Sequence, residues 1–288
     1  MADSPNQPEP LEPLAADLDV LESGEETDQE SLPGAPPPGP PLIVFKHVSI
    51  GFGDRMVLED VSFTVRRGET LCILGRSGVG KSVSLRLLMG FLKPDAGTIV
   101  VDGQEITCLD EEGLRAIRRR ITMVFQNGAL FDSLSVRENV AFPLREHGGS
   151  LADDQIDSLV ERLIALVGAE DVVDDLPASL STGRKRAVAI ARALAAQPEI
   201  VLYDEPTTMV DPLIARRLGN LIQRLKTQLG YTSIVVTHDM RFAESLADKV
   251  LFLDGGRASF FGPLRGFMNS QDPHIREFLT LDAYVFPV

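Results

Sequence analysis

The sequence predicts an α/β fold built on a largely parallel central sheet. Compact apolar runs of four or five residues, the kind that parallel sheets bury on both faces, recur along the chain. Amphipathic helical patterns separate them, and one run leads directly through a glycine-rich loop into a helix. With 288 residues, 44% of them hydrophobic, the chain is long enough for one large domain or two ordinary ones.

Strands of two kinds are predicted in chain order. Short β-rich segments cover 43–45, 61–65 and 98–101, and a turn dipeptide follows the last of them. The more apolar runs, which we expect to form the parallel core, are 71–74, 121–125, 200–203 and 233–237.

Helical periodicity fills the intervals between these strands. Apolar residues between 156 and 167 follow the i, i+3, i+4 spacing and end at Gly168, and 214–229 repeats the pattern before Gly230. The stretch from about 129 to 178 is mostly helical in pattern, which suggests an insertion.

The negative charge is concentrated at the start of the chain. The net charge is −14, and residues 1–41 hold ten acidic groups, no Lys or Arg, and ten of the 19 prolines. Such a segment cannot bury enough apolar surface to fold alone, so we expect a disordered acidic, Pro-rich tail at 1–41. A docking motif around Leu11 to Leu21 is the alternative.

Composition also excludes several classes of protein. The acidity disfavours a general nucleic-acid binder, and two cysteines cannot build a disulfide framework, which suits a reducing cytosol. No signal peptide and no apolar run of the ~20 residues needed to span a bilayer is visible.

A phosphate-binding loop is the strongest motif. It follows strand 71–74, precedes a helical run at 83–92, and comprises Gly75, Arg76, Ser77, Gly78, Val79, Gly80, Lys81 and Ser82. Its glycines allow backbone N–H groups to surround an anion. Lys81 is expected to reach the β- and γ-phosphates, and Ser82 to ligate Mg²⁺. A glycine-rich turn with an incidental lysine is the bland alternative.

Two carboxylates favour hydrolysis of ATP. Asp204 and Glu205 end strand 200–203, where a side chain of an open α/β sheet faces the ligand crevice. We expect Asp204 to join the Mg²⁺ shell and Glu205 to act as general base on water. The Asn-Lys-x-Asp motif that reads guanine is absent from the sequence.

The order of motifs resembles the nucleotide-binding subunit of ABC transporters over nearly all of 43–279. The resemblance implies a P-loop NTPase of ABC type, with a mixed or parallel sheet core, an antiparallel β subdomain and an inserted helical subdomain at about 127–179. The ATPase domain would then be 42–288, with ATP and Mg²⁺ as cofactors.

Further positions match the family residue by residue. The resemblance implies that Phe52 stacks on adenine, that Gln126 touches Mg²⁺ and the lytic water, and that His238 senses the γ-phosphate. It implies that Ser181 and Gly183 belong to the signature loop and Asp211 to the D-loop. In the family this loop caps ATP held by the other protomer, so two copies enclose two ATP molecules head to tail.

Some positions depart from the family pattern. Thr182 replaces a glycine, and Arg184 and Ala187 stand where other residues are usual. Val83 replaces the residue that contacts the α-phosphate, so its contribution is limited to the backbone N–H. Thr182, Ala187 and Val83 could therefore slow hydrolysis without preventing ATP binding.

The string 127–147 is similar to the ATPases of the Mla/Mce phospholipid-transport systems, and 272–279 resembles their end. This implies transport of phospholipid or another hydrophobic molecule, an integral-membrane permease, an Mce-type substrate-binding protein and a place on the cytoplasmic face of the inner membrane. We expect the permease to contact Leu130 to His147, with apolar anchors and a charged rim at Phe131, Leu134, Arg137, Glu138, Phe142, Leu144, Arg145 and Glu146.

Other functions remain open at this point. The chain could serve another ABC importer or a cell-division-type complex, or it could be a non-transport ABC protein. Proteins of that last class usually carry two cassettes, a long coiled coil or zinc-binding cysteines, which this sequence lacks. A metabolic kinase would not require Ser181, Asp211 and His238 in that order.

Overall fold

A computed structural model describes residues 39–146 and 151–285, with side chains to residue 280. The predicted tail at 1–41 lies outside the described residues up to position 38, as do His147 and the last three positions. The strands are β1 Ile43–Phe52, β2 Arg55–Val65, β3 Thr70–Leu74, β4 Ala96–Val101, β5 Gln104–Glu105, β6 Ile121–Val124, β7 Ile200–Asp204, β8 Thr232–Val236, β9 Lys249–Asp254 and β10 Arg257–Pro263.

The helices are α1 Lys81–Leu88, α2 Glu111–Arg120, α3 Val136–Glu146, α4 Asp153–Val167, α5 Thr182–Ala195, α6 Pro212–Leu229, α7 Met240–Glu244, α8 Leu264–Met268 and α9 Pro273–Val285. Two short 3-10 turns lie between α4 and α5. Among these helices, none combines the length and the apolarity that crossing a membrane requires.

The larger sheet has the order β10-β9-β3-β8-β7-β6. Its strands β9, β3, β8, β7 and β6 run parallel, and β10 pairs antiparallel with β9 at one edge. Every residue of β3, β7 and β8 is buried, because helices cover both faces of a parallel sheet. The four apolar runs of the sequence all form strands here, whereas β9 and β10 were not predicted.

The smaller sheet is antiparallel, with the order β2-β1-β4-β5. Phe45 and Phe63 pair across β1 and β2 with ring centroids 4.3 Å apart. Their neighbours join one hydrophobic core with the inner faces of β3, β7, β8 and β9. At the other end of β2, Leu58 packs against Gly80, so the tip of this sheet adjoins the phosphate loop.

Helices α3 and α4 occupy the stretch that the sequence suggests is an insertion. Both pack against α5 through apolar residues, among them Val140, Leu144, Leu159 and Leu163, which are buried. Asn139 is fully buried in α3: its amide donates to three carbonyls of residues 131–135, and its Oδ1 accepts from the N–H of Phe131 at 2.8 Å. That ring of bonds fixes the loop before α3.

An ion-pair network joins the sheets at the amino ends of the parallel strands. Arg120, which precedes β6, contacts Glu199 before β7 at 2.7 Å and Asp102 at 2.6 Å. Arg67, just ahead of β3, contacts the same two carboxylates. Hydrogen bonds from the guanidinium groups hold the pKa of Glu199 and of Asp102 below their usual values. The network therefore contributes to stability at neutral pH.

Candidate functional site

A cleft of about 640 Å³ lies at the carboxyl ends of the parallel strands. The phosphate loop follows β3, Asp204 ends β7, and His238 follows β8 by two residues. Because β3, β8, β7 and β6 are neighbours in the sheet, their carboxyl ends meet at one edge. The topology thus brings most of the predicted site residues to a single place.

The phosphate loop has the backbone shape that anion binding requires. Gly75, Gly78 and Gly80 have φ angles of 148°, 80° and 103°, which side chains other than glycine rarely adopt. A Cβ at Gly75 would lie 2.4 Å from the carbonyl oxygen of Leu253, and one at Gly80 would lie 2.6 Å from Leu58. Close packing therefore demands glycine at both ends of the loop.

Lys81 is the first residue of α1, and its side chain is only 6% exposed. Its amine donates to the carbonyl oxygens of Gly75 at 2.9 Å and Arg76 at 3.1 Å. The same nitrogen lies 3.3 Å from Oε1 of Glu205. A lysine held in this way delivers its charge to the floor of the cleft, where the phosphates of a nucleotide would lie.

Ser82 and Asp204 form a hydrogen-bonded pair of oxygen-bearing side chains. The Ser82 hydroxyl donates to Oδ1 of Asp204 at 2.6 Å, and Gln126 lines the same cleft. Burial raises the pKa of Asp204, and the bond from Ser82 opposes that shift. Hydroxyl, carboxylate and amide oxygens are hard donors, and Mg²⁺ is usually held by one or two carboxylates together with substrate phosphates. The residues present therefore fit Mg²⁺.

Glu205 and His238 form a second pair in the cleft. Nδ1 of His238 lies 2.7 Å from Oε2 of Glu205, which also accepts from the Thr208 hydroxyl at 3.3 Å. Burial alone would raise the pKa of Glu205, but the bond from His238 and the charges of His238 and Lys81 outweigh it, so the pKa is lowered. Conversely, the bond to Glu205 raises the pKa of His238. Glu205 is thus an ionised carboxylate facing the cleft.

Backbone strain accompanies Glu205. Its φ is 48°, a left-handed conformation that costs a non-glycine residue energy, and its N–H donates to the carbonyl of Val236 on β8 at 2.9 Å. Strain of this kind persists only where the surroundings fix it. The turn directs the carboxylate away from the sheet and into the cleft.

Other predicted residues of the nucleotide site have different surroundings. Phe52 is 50% exposed at the β1–β2 hairpin, and Val57 rather than Phe52 lines the cleft. Val79 is half-buried against the hydrophobic core, while Val83 contacts both the core and the cleft. The stacking of Phe52 on adenine therefore stays a prediction.

The signature-loop residues lie away from this cleft. Ser181 caps the N-terminus of α5, its hydroxyl accepting from the N–H of Arg184, and with Gly183 it lines a separate groove of about 650 Å³. Asp211 caps α6 by accepting from the N–H of Leu213 at 2.8 Å. The described part of one protomer thus divides the predicted nucleotide contacts between two surfaces.

Two arginines of α5, the buried Arg186 and the half-buried Arg192, were not assigned a role from the sequence. Arg186 donates to the carbonyls of Phe125 at 3.1 Å and Thr208 at 3.3 Å, and Arg192 donates to those of Ala129 and Gly128. They tie α5 to the loop that carries Gln126. The sequence does not predict these contacts, because the partners of both arginines are backbone carbonyls, which leave no residue pattern.

A known protein family matches more than half of this sequence. Residues 58–208 match the family described as ABC transporter. The chain belongs to the ABC transporter family. Among relatives of the cassette, the intermembrane phospholipid transport system ATP-binding protein MlaF of Escherichia coli K12 is 37% identical over 238 residues, 83% of this chain and 88% of that protein.

A second group of relatives is longer than this cassette. The methionine import ATP-binding protein MetN of Brucella abortus is 41% identical over 242 residues, which are 84% of this chain. The match spans 65% of the length of MetN, so about a third of that protein has no counterpart in the alignment.

Solved structures confirm the predicted fold class. The cassette MJ0796, solved as a dimer in a post-hydrolysis state with ADP and Pi, is 30% identical with a TM-score of 0.70, covering 78% of this chain and 99% of that one. CbiO1 of Clostridium perfringens, part of the ABC transporter complex cbiONQ, is 28% identical with a TM-score of 0.74, covering 86% and 96%. The ABC cassette is an α/β P-loop NTPase, as the sequence predicts.

Proposed function

We propose that this cassette binds and hydrolyses ATP as the energy-coupling subunit of an ABC transport complex. The observation that carries the proposal is the convergence of Lys81, Ser82, Glu205 and His238 in one cleft, with buried Asp204 bonded to Ser82 at its edge. A phosphate cradle, a hard oxygen pair and an ionised carboxylate are the parts that hydrolysis of a nucleoside triphosphate needs.

Each side chain has a distinct task in this proposal. Lys81 and the loop N–H groups bind the phosphates. Ser82, Asp204 and Gln126 would hold Mg²⁺, which neutralises phosphate charge when bound. Glu205 accepts the proton of the attacking water, and His238 orients that carboxylate through the 2.7 Å contact.

A second copy of the chain completes the site. Ser181 and Gly183 line a different groove from Lys81, so one protomer cannot present both sets to the same ATP. A two-fold arrangement would place the α5 N-terminus of one protomer, with its hydroxyl and dipole, over the phosphates bound by the other. The dimeric form of MJ0796 supports this assembly.

An integral-membrane permease is the second partner, and the surface before and along α3 is the proposed contact. Phe131 and Phe142 are exposed there and pack together with ring centroids 4.6 Å apart, while Arg192 lies 5.5 Å from the Phe131 ring. Asn139 fixes the loop that carries Phe131. The expected anchor Leu144 is instead buried in the helix packing, since its side chain is 6% exposed.

Charge reversal tests this surface. Changing Arg145 and Glu146 together, as Arg145→Glu with Glu146→Lys, should abolish co-purification with the permease, because both are exposed beside Phe142. The matched control reverses the exposed pair Glu59 of β2 and Arg257 of β10, which joins the two sheets away from α3. Normal complex formation by the first variant would remove α3 from the interface.

Phospholipid, or another hydrophobic molecule, is the proposed cargo. MlaF supports this, because the alignment covers 88% of its length, and so does the string 127–147 that resembles the Mla/Mce ATPases. An Mce-type substrate-binding protein and a peripheral position on the cytoplasmic face of the inner membrane belong to the same proposal. Import of an amino acid is the second candidate, favoured by the 41% identity with MetN.

The two cargoes are distinguished by reconstitution. The chain, tagged and purified together with its membrane partners, should release phosphate from ATP and transfer labelled phospholipid between vesicles in an ATP-dependent way. Labelled methionine supplied to the same vesicles serves as the alternative. Uptake of methionine without lipid transfer would replace the cargo, while absence of phosphate release would refute the ATPase itself.

A further inference from the structure

Helix α9 crosses the rim of the ATP cleft. Its inner face is anchored by Ile275 and Phe278, which are buried, and the Phe278 ring lies 5.1 Å from that of Phe252 on β9. Phe278 also lines the cleft, and His274 contacts Asp254 at the end of β9 at 3.1 Å. The helix is therefore held on the sheet and forms a wall of the cleft.

The position of β9 explains why α9 reaches the phosphate loop. The carbonyl of Leu253 on β9 packs against Gly75 so closely that no Cβ fits between them. Arg76 is the next residue, so its side chain leaves the loop beside the strand on which α9 is docked. Glu277 directly precedes Phe278 in α9 and therefore lies at this rim.

Glu277 and Arg76 form an ion pair. Nη2 of Arg76 lies 2.6 Å from Oε1 of Glu277, and the two side chains are 56% and 58% exposed. Lys81, the other cation of the phosphate loop, already lies 3.3 Å from Glu205. Both cations of the loop thus have a carboxylate partner, and that of Arg76 is supplied by a helix distant in sequence.

We infer that Glu277 competes with nucleotide phosphates for the Arg76 guanidinium and so lowers the affinity of the cassette for ATP. A polyphosphate gains from a guanidinium at the cleft rim, since arginine matches phosphate geometry and charge. A carboxylate on the same guanidinium offsets that gain and repels the phosphates. This inference rests on the proposed function, because it requires ATP in this cleft.

The test compares nucleotide affinities of three variants by titration calorimetry with Mg²⁺. Glu277→Gln removes the charge and keeps the shape, and Phe278 continues to anchor α9. We expect ATP to bind about two- to fivefold more tightly, the scale of an exposed ion pair. The gain should be smaller for AMP and should shrink between about 0.05 M and about 0.5 M salt, since screening weakens exposed charges.

Two variants control the interpretation. Glu161→Gln breaks a comparable exposed pair with Arg137, 3.2 Å apart on α3 and α4, and should leave ATP affinity unchanged. In an Arg76→Gln background, Glu277→Gln should no longer tighten binding, because the guanidinium for which it competes is gone. An equal gain in that background would assign the effect to general repulsion and overturn the inference.

The remaining outcomes separate this inference from the proposed function. If the wild-type chain binds ATP and Glu277→Gln has the same affinity or a lower one, competition is wrong while the ATPase proposal stands. If the wild-type chain binds no ATP, the proposed function fails and the inference with it. Unliganded melting temperatures of all variants verify that α9 stays docked.

Discussion

Arg186 provides the sharpest test of how helix α5 is joined to the loops on the two sides of the cleft. This buried α5 arginine donates to the carbonyls of Phe125, next to Gln126, and of Thr208, whose hydroxyl bonds Glu205. Arg186→Met keeps most of the apolar stem and removes both bonds. Two loops on either side of the cleft then lose their common attachment.

The size of the effect follows from two opposing contributions. Hydrogen bonds from a charged donor contribute about 1.5–3 kcal/mol each. Burial disfavours the guanidinium, as the lowered pKa of Arg186 shows, and its removal recovers part of that cost. We expect a net loss of about 2–3 kcal/mol in unfolding free energy, or about 4–12 °C in melting temperature for a domain of this size.

Calorimetric unfolding measures the loss, with Arg216→Met as the control because Arg216 is an exposed arginine of α6. The control should stay within about 0.5 kcal/mol of the wild type. Hydrolysis by Arg186→Met should fall further than ATP binding, since its two carbonyl partners adjoin Gln126 and Glu205. A melting temperature equal to that of the wild type would refute the reasoning.

Three further predictions concern the cleft and the network. Lys81→Ala should weaken ATP binding by roughly a hundredfold in calorimetry, because its charge-assisted phosphate contacts are lost; wild-type affinity would disprove the loop assignment. Glu205→Gln should retain ATP but slow phosphate release by about a hundredfold or more, and ATP should make it sediment as a dimer; unchanged turnover would remove Glu205 from the reaction. Arg120→Ala should lower the melting temperature at neutral pH, and the difference from the wild type should shrink below about pH 4. Its partner carboxylates have lowered pKa values, so their contribution is present above the unfolded pKa and lost as pH falls through the folded one. A pH-independent difference would contradict this.

Much of the fold could be predicted from local sequence patterns. The runs that became β3, β6, β7 and β8 are predominantly apolar without alternating polar positions, a pattern typical of strands that are buried on both faces. The helical run predicted at 83–92 stops at Leu88, since Gly90 takes a left-handed φ of 67° and packs on Leu114. That stop depends on a contact with α2, which periodicity does not show.

The candidate site also contains some residues that the sequence pattern predicts and others that depend on tertiary contacts. Residues that belong to contiguous motifs, such as Lys81 and Asp204, could be predicted from the sequence because residue type and spacing coincide there. The left-handed turn at Glu205 and the wall formed by Phe278 were not, because each depends on elements distant in sequence. Glu277 gave no signal, since a surface glutamate on a helix is ordinary until its partner is known.

The network of Arg120, Glu199, Arg67 and Asp102 closes the amino ends of the strands whose carboxyl ends carry the cleft. The ion-pair network and the candidate active site are thus located at opposite ends of the same strands. Substitutions in the ion-pair network can change stability toward heat or acid without altering the residues that line the cleft. Adaptation of this cassette to heat or acid therefore does not require changes in the residues of its cleft.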